Sequence, residues 1–256
     1  MKALSVRNLS YRYEDGTDAL KDLTFSLAEG ERVALIGANG AGKSTLLLHL
    51  NGLLPERPDK NPPVEVFSRP ATVNNLAQIR SDVGLLFQDP DDQLFCTTVW
   101  EDVAFGPRQF GLNADQVAAK VTQSLEMVGL SGFEKRTPHR LSRGEKRRVC
   151  LAGVLACDAK LLVLDEPTSD LDPRSRRELI AILQRLPVTQ LVATHDLELV
   201  VLLCPRVIVL DHGQIVADGE TNELLSNEPL MLQHGLERPH ILHHLHPHPG
   251  QPPHEH

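Results

Sequence analysis

The stretch GANGAGKS at residues 37–44 follows the apolar run Val33-Ala34-Leu35-Ile36, and it constrains this chain more than any other feature. Gly37, Gly40 and Gly42 belong to the spacing G-x-x-x-x-G-K-[ST], closed by Lys43, Ser44 and Thr45. Glycines let successive backbone N–H groups turn inward toward one anion. A helix starting there aims its amide-rich N-terminus at the same charge. Gly37, Ala38, Asn39, Gly40, Ala41 and Gly42 are therefore predicted to cradle phosphate oxygens. Lys43 would reach the β- and γ-phosphates, the Ser44 hydroxyl would hold Mg²⁺, and Thr45 would lie toward the α-phosphate. Such a loop needs a strand before it and a helix after it. By itself it does not separate a kinase, a GTPase and a transport motor.

The rest of the chain supplies a matching core. ALSVRNLSYRY and DLTFSL alternate, as half-buried strands do. RVALIG, VGLLF, LLVLD, QLVAT and RVIVL are continuous apolar runs, as in strands covered on both faces. A helix is predicted from Gly42 to Leu53, and helical periodicity dominates residues 97–158. Hydrophobic residues make up 41% and charged residues 23%, the balance of an ordinary globular protein. The net charge of −8 gives no general attraction to nucleic acid or an anionic membrane. No apolar run approaches the ~18 residues of a membrane span, and the first residues lack a signal-peptide core. Cys96, Cys150, Cys157 and Cys204 have no C-x-x-C spacing. They are expected as small buried hydrophobes in a reducing cytoplasm.

Two further stretches carry chemistry. LLVLDEP, residues 161–167, delivers two acids at the end of a buried strand, where open parallel sheets bind ligands. Asp165 would hold Mg²⁺ and Glu166 would orient or deprotonate an attacking water, an arrangement suited to hydrolysis. An acidic cap ahead of Pro167 is the plainer alternative. Ser142 and Glu145 form an S-x-x-E capping box, so LSRGE begins a helix. A helix start with a serine and a glycine also suits a γ-phosphate.

In order, these motifs resemble the ATP-binding cassette family: the glycine loop, Gln88, the signature at 141–145, Asp165–Glu166, SDLD at 169–172, and His195 in LVATHD. The resemblance covers about residues 3–226. It implies an α/β fold, a P-loop NTPase core with a mostly parallel sheet, N-terminal antiparallel strands and an inserted helical subdomain at about 89–158. It also implies roles. Tyr13 would stack on adenine, Gln88 would touch Mg²⁺ and the attacking water, and His195 would contact the γ-phosphate. Ser142 and Gly144 would bind the phosphate of a second subunit, and Asp172 would lie at the dimer interface. Arg143 and Glu145 depart from the usual L-S-G-G-Q. One set of motifs implies a second ATPase subunit, another copy of this chain as the first expectation and a paralogue as the alternative.

FQDPDDQLFCTTVWEDVAFGP, residues 87–107, is similar to the energy-coupling-factor branch of ABC importers. Asp89 and Asp91 are also good helix caps. The resemblance places Gln93 in a groove receiving a transmembrane coupling protein, beside a membrane substrate-capture protein. It puts this chain peripherally at the cytoplasmic face of the membrane. Residues 227–239 read as a C-terminal extension and 240–256 as a His/Pro-rich mobile tail. His240 and His244 are i,i+4, a spacing suited to chelating metal on a helix. Imidazole suits Ni²⁺, Zn²⁺ and Cu²⁺, with Co²⁺ next; taken with the importer resemblance, nickel or cobalt import is the first expectation, a solvated tail with no metal role being the plainer alternative. A vitamin importer of the same type is the alternative, and a non-transport cassette ATPase is a more remote one.

Overall fold

The computed structural model describes residues 1–57 and 59–236. His240, His244 and the rest of the tail expected over 240–256 lie outside the described residues. In chain order the elements are β1 (Lys2–Arg12), β2 (Asp18–Ala28), β3 (Arg32–Ile36), α1 (Lys43–Leu50), β4 (Val64–Val66), β5 (Arg69–Pro70), α2 (Leu76–Asp82) and β6 (Val83–Leu86). Then come α3 (Val99–Gln109), α4 (Ala114–Met127), α5 (Arg143–Leu155), β7 (Leu161–Asp165), α6 (Pro173–Arg185) and β8 (Thr189–Ala193). The described chain ends with α7 (Leu197–Leu203), β9 (Arg206–Asp211), β10 (Gln214–Glu220), α8 (Thr221–Ser226) and α9 (Glu228–Gln233).

The strands form two sheets. One is antiparallel, in the order β2-β1-β4-β5. The other runs β10-β9-β3-β8-β7-β6 and is parallel apart from β10. The central strands are apolar throughout because both faces are covered. On β3, Ala34 and Ile36 face a core shared with α3–α7, while Val33 and Leu35 face a core shared with α1 and the antiparallel sheet. On β7, Leu162 and Leu164 divide from Leu161 and Val163 in the same way. Side chains alternate along a strand, so each strand feeds both cores. Helices α3, α4 and α5 pack on one another.

The helix after the glycine loop ends at Leu50, three residues before the predicted Leu53. Gly52 takes a left-handed φ of 66°, and the N–H groups of Leu53 and Leu54 both donate to the Leu48 carbonyl. A left-handed glycine just past the last turn is a common helix stop. The β9–β10 hairpin was not predicted. Its two-residue turn is His212-Gly213, with φ of 45° and 78°. Positive φ at both central residues matches the twist of the flanking strands.

Candidate active site

The glycine loop is clamped on two sides. A Cβ at Gly37 would lie 2.1 Å from the Leu210 carbonyl oxygen at the end of β9. Gly42 has a φ of +105°, and a Cβ there would lie 2.6 Å from the Ala19 carbonyl oxygen on β2. The Gly213 N–H donates to the Ala41 carbonyl at 3.0 Å, and the Ala41 N–H to the Ala38 carbonyl at 3.1 Å. Lys43 is buried, and its Nζ donates to the carbonyls of Gly37 at 2.8 Å and Ala38 at 3.2 Å. Burial pushes the Lys43 pKa down, while Glu166 and Asp165 act in the opposite sense.

A cavity of about 450 Å³ opens over the loop. It brings together Tyr13, Asn39, Gly40, Gly42, Lys43, Ser44, Thr45, Gln88, Asp165, Glu166 and His195. Those residues come from five separate stretches of the sequence. The Tyr13 hydroxyl hydrogen-bonds the Thr45 hydroxyl at 3.0 Å, and its ring packs edge-on to Tyr11.

Glu166 is buried and stands at a left-handed φ of 44°. Its Oε2 accepts from the Thr194 hydroxyl at 3.1 Å, and its Oε1 from the His195 backbone N–H at 3.1 Å. The exposed His195 ring brings Nδ1 to 2.9 Å from the same Oε1. Burial pushes the Asp165 pKa up; hydrogen bonding from Ser44 opposes this, Glu166 adds to it, and Lys43 opposes it.

Ser142, Gly144, Asp172 and Gln93 do not line this cavity. Ser142 and Glu145 form the predicted capping box at the start of α5. A Cβ at Gly144 would lie 2.4 Å from Ser175 Oγ, so this glycine lets α5 pack closely on α6. Asp172 is exposed and caps α6, accepting from the N–H groups of Arg174 and Ser175. Arg143, the departure in the signature, lies 3.1 Å from Asp170. Asp89 accepts from the Asp91 N–H and caps a short 3₁₀ turn, while Lys146 pairs with Asp91. Gln93 lines a separate groove of about 230 Å³ with Phe95, Phe105 and Phe110, all three of which are exposed.

Sequence reasoning missed two supports of the site. Asp196 accepts a two-pronged pair from Arg176 and a bond from the Thr168 hydroxyl, and caps α7 through the Leu199 N–H. It thereby holds the turn that carries His195. Arg147 is fully buried, and its Nη1 and Nη2 donate to the carbonyls of Phe87 and Gln88. Its signal was present: Arg147 occupies a position on the stripe Gly144, Arg147, Leu151, Val154, where helical spacing calls for an apolar residue.

A glycine loop at the carboxyl end of a parallel strand, with a buried lysine and two acids converging on one cavity, defines a P-loop nucleoside triphosphatase. The ABC transporter family model matches residues 20–169, and the chain belongs to this ATP-hydrolysing family. A protein of Gloeobacter violaceus, provisionally named an ABC transporter ATP-binding protein, is 52% identical over 93% of this chain and 98% of its own. The energy-coupling factor transporter ATP-binding protein EcfA of Methanothermobacter thermautotrophicus is 46% identical over 92% of this chain and 76% of its own. Among solved structures, CbiO1 of Clostridium perfringens, part of the ABC transporter complex CbiONQ, superposes with a TM-score of 0.79. It is 35% identical over 94% of this chain and 98% of its own.

Proposed function

We propose that this chain is the ATPase subunit of an energy-coupling-factor importer for nickel or cobalt ions, working as a dimer peripherally attached to the cytoplasmic face of the membrane. One observation carries the dimer. Lys43, Ser44, Asp165, Glu166 and His195 converge on one cavity, whereas Ser142 and Gly144 of the signature lie off it. A second copy would complete each site with its own signature, Asp172 lying along the contact. A dimeric cassette bound to ADP and phosphate, 26% identical with a TM-score of 0.75, supports the dimer.

Within the site, Gly37 to Gly42 would cradle the phosphates, Lys43 would bind the β- and γ-phosphates, and Tyr13 would stack on adenine. Glu166, oriented by Thr194 and His195, would position the attacking water and take its proton. The donors fit Mg²⁺: a hydroxyl at Ser44, an amide oxygen at Gln88 and a carboxylate at Asp165, all hard oxygens on one cavity. Burial raises the Asp165 pKa, so a dication there would hold the carboxylate ionised. Mg²⁺ held there would neutralise charge on the nucleotide's phosphates.

Among the described residues no helix is long and apolar enough to cross a membrane. A transmembrane coupling chain would engage the Gln93 groove with its exposed Phe95, Phe105 and Phe110, and a membrane capture protein would supply the ion. The ABC ATPase proper would span residues 1–226, with its helical subdomain at about 89–158. The extension 227–239 follows it, with the tail 240–256 collecting metal. The test is uptake of ⁵⁷Co²⁺ or ⁶³Ni²⁺ in cells expressing the complete transporter, with a Lys43→Ala control. Deleting residues 240–256 should leave basal ATPase activity intact and lower uptake only when metal is scarce. Uptake of a labelled vitamin in place of either ion would replace the substrate while keeping the ATPase role.

A further inference from the structure

Arg147 is a buried cation with no carboxylate in direct contact; Asp89 and Asp165 act on it only at longer range. Its side chain is fully enclosed, and among the described residues no acid lies within ion-pair distance of it. Its partners are main-chain carbonyls alone. Nη1 donates to Phe87, Nη2 to Gln88, and Nη2 also lies 3.4 Å from the carbonyl of Glu166. The Nε is buried with no hydrogen-bond partner. A charge taken out of water without a counter-ion is costly, and the neighbouring stripe positions on α5 are filled by Leu151 and Val154. An apolar residue would serve packing there at lower cost.

The three carbonyls explain what the guanidinium adds. Phe87 and Gln88 lie just past the end of β6, and Glu166 just past the end of β7, so their carbonyls are not used by the ladder, although the Glu166 N–H still donates to the Ala193 carbonyl at 2.8 Å. Glu166 also stands in the left-handed region. A planar fork of N–H donors reaches several acceptors at fixed angles, which a point-like ammonium does not. Arg147 lies five residues after Ser142 on the same helix, about 7.5 Å along the axis.

We propose that Arg147 is a positioning residue for hydrolysis, joining the signature helix to the Gln88 segment and the Glu166 backbone, so that a shift of α5 moves both. This rests on the assignment of Gln88 and Glu166 to the hydrolytic centre. A signature docking on a partner's nucleotide would thereby set the geometry of its own chain's site.

The test compares Arg147→Met and Arg147→Lys in the full chain, measuring kcat, KM for ATP, ATP affinity and thermal unfolding, with Gln88→Ala and Glu166→Gln as references. Methionine fills the stripe but leaves the Phe87 and Gln88 carbonyls without their donor, so Arg147→Met should fold yet melt below the parent, and kcat is read well below that melting point. Its kcat should fall by roughly a hundredfold, the scale of a small misplacement, with KM within about twofold. Arg147→Lys should recover part of kcat. In the Gln88→Ala background either substitution should add little to the residual loss, because interacting sites are not additive. An unchanged kcat, or a loss fully additive with Gln88→Ala, overturns the proposal. If Arg147→Met does not fold, the Lys variant in the two backgrounds decides by the same criterion. Normal turnover by both reference variants would overturn the assignment of Gln88 and Glu166, and this proposal with it. Collapsed reference variants beside normal Arg147 variants would remove only the role of Arg147.

Discussion

Glu166 holds a backbone conformation that a residue with a side chain takes at a cost of about 1–3 kcal/mol. The hydroxyl of Thr194 and the backbone and ring of His195 fix its carboxylate against that strain. The side chain is thus aimed by contacts within the chain. Glu166→Gln keeps its shape and removes the proton acceptor. Turnover should fall by roughly 10²–10⁴-fold, while ATP affinity by calorimetry stays near that of the parent. An ATP-dependent shift to dimer should appear in light scattering of the variant; near-normal steady-state hydrolysis would remove Glu166 from the mechanism. Residues of this kind were legible from sequence because phosphate and water chemistry demand particular side chains at particular spacings. For Arg147 the stripe on α5 marks only a charge out of place; its partners are backbone carbonyls from two distant stretches, and no side-chain motif records those.

Among the elements, α6 and α7 are joined through Arg176, which pairs with Asp196 at the α7 cap and lies 3.5 Å from Glu198 within α7. Asp196 caps α7 and takes the guanidinium of Arg176 from α6. Burial raises its pKa, but hydrogen bonds from Arg176, Leu199 and Thr168 outweigh this, and the net shift is downward. A carboxylate whose folded pKa lies below its unfolded value stabilises the fold above the unfolded value, about pH 4. That contribution is lost as the pH falls through the folded value. Asp196→Asn should therefore cost about 1–3 kcal/mol near neutrality, with the gap to the parent closing in acid. Urea midpoints of both proteins across that range would show it; a gap independent of pH would mean that the charge is not what matters. The buried strands were readable because burial on both faces leaves unbroken apolar runs. The edge strand β10 was not, since QIVADGE is mostly half-exposed and lacks such a run. The positive-φ pair His212-Gly213 was the available clue.

At the scale of the whole molecule, the cavity over the glycine loop and the groove at Gln93 are separate openings joined through one short segment, from Gln88 to Gln93. Phe95 and Phe105 stack edge to face at the groove with their rings 4.9 Å apart, and both are exposed. A membrane coupling helix seated there would cover them. Phe105→Ala should hydrolyse ATP at the parental rate when purified, yet fail to drive uptake in the complete transporter. Uptake at the parental level would place the docking surface elsewhere. The phosphate loop is held quite differently. It is wedged between the end of β9 and the β1–β2 hairpin, pinned by the Gly213 N–H, with its lysine already folded onto its own carbonyls. Ordering a free segment costs roughly 1–2 kcal/mol per residue, and this loop's contacts with β9 and the β1–β2 hairpin fix it without any contribution from ligand contacts. Nucleotide binding then carries little conformational entropy penalty on the protein side. Changes in affinity would come from altered charge and hydrogen bonding, while rigidifying substitutions in the loop would gain almost nothing.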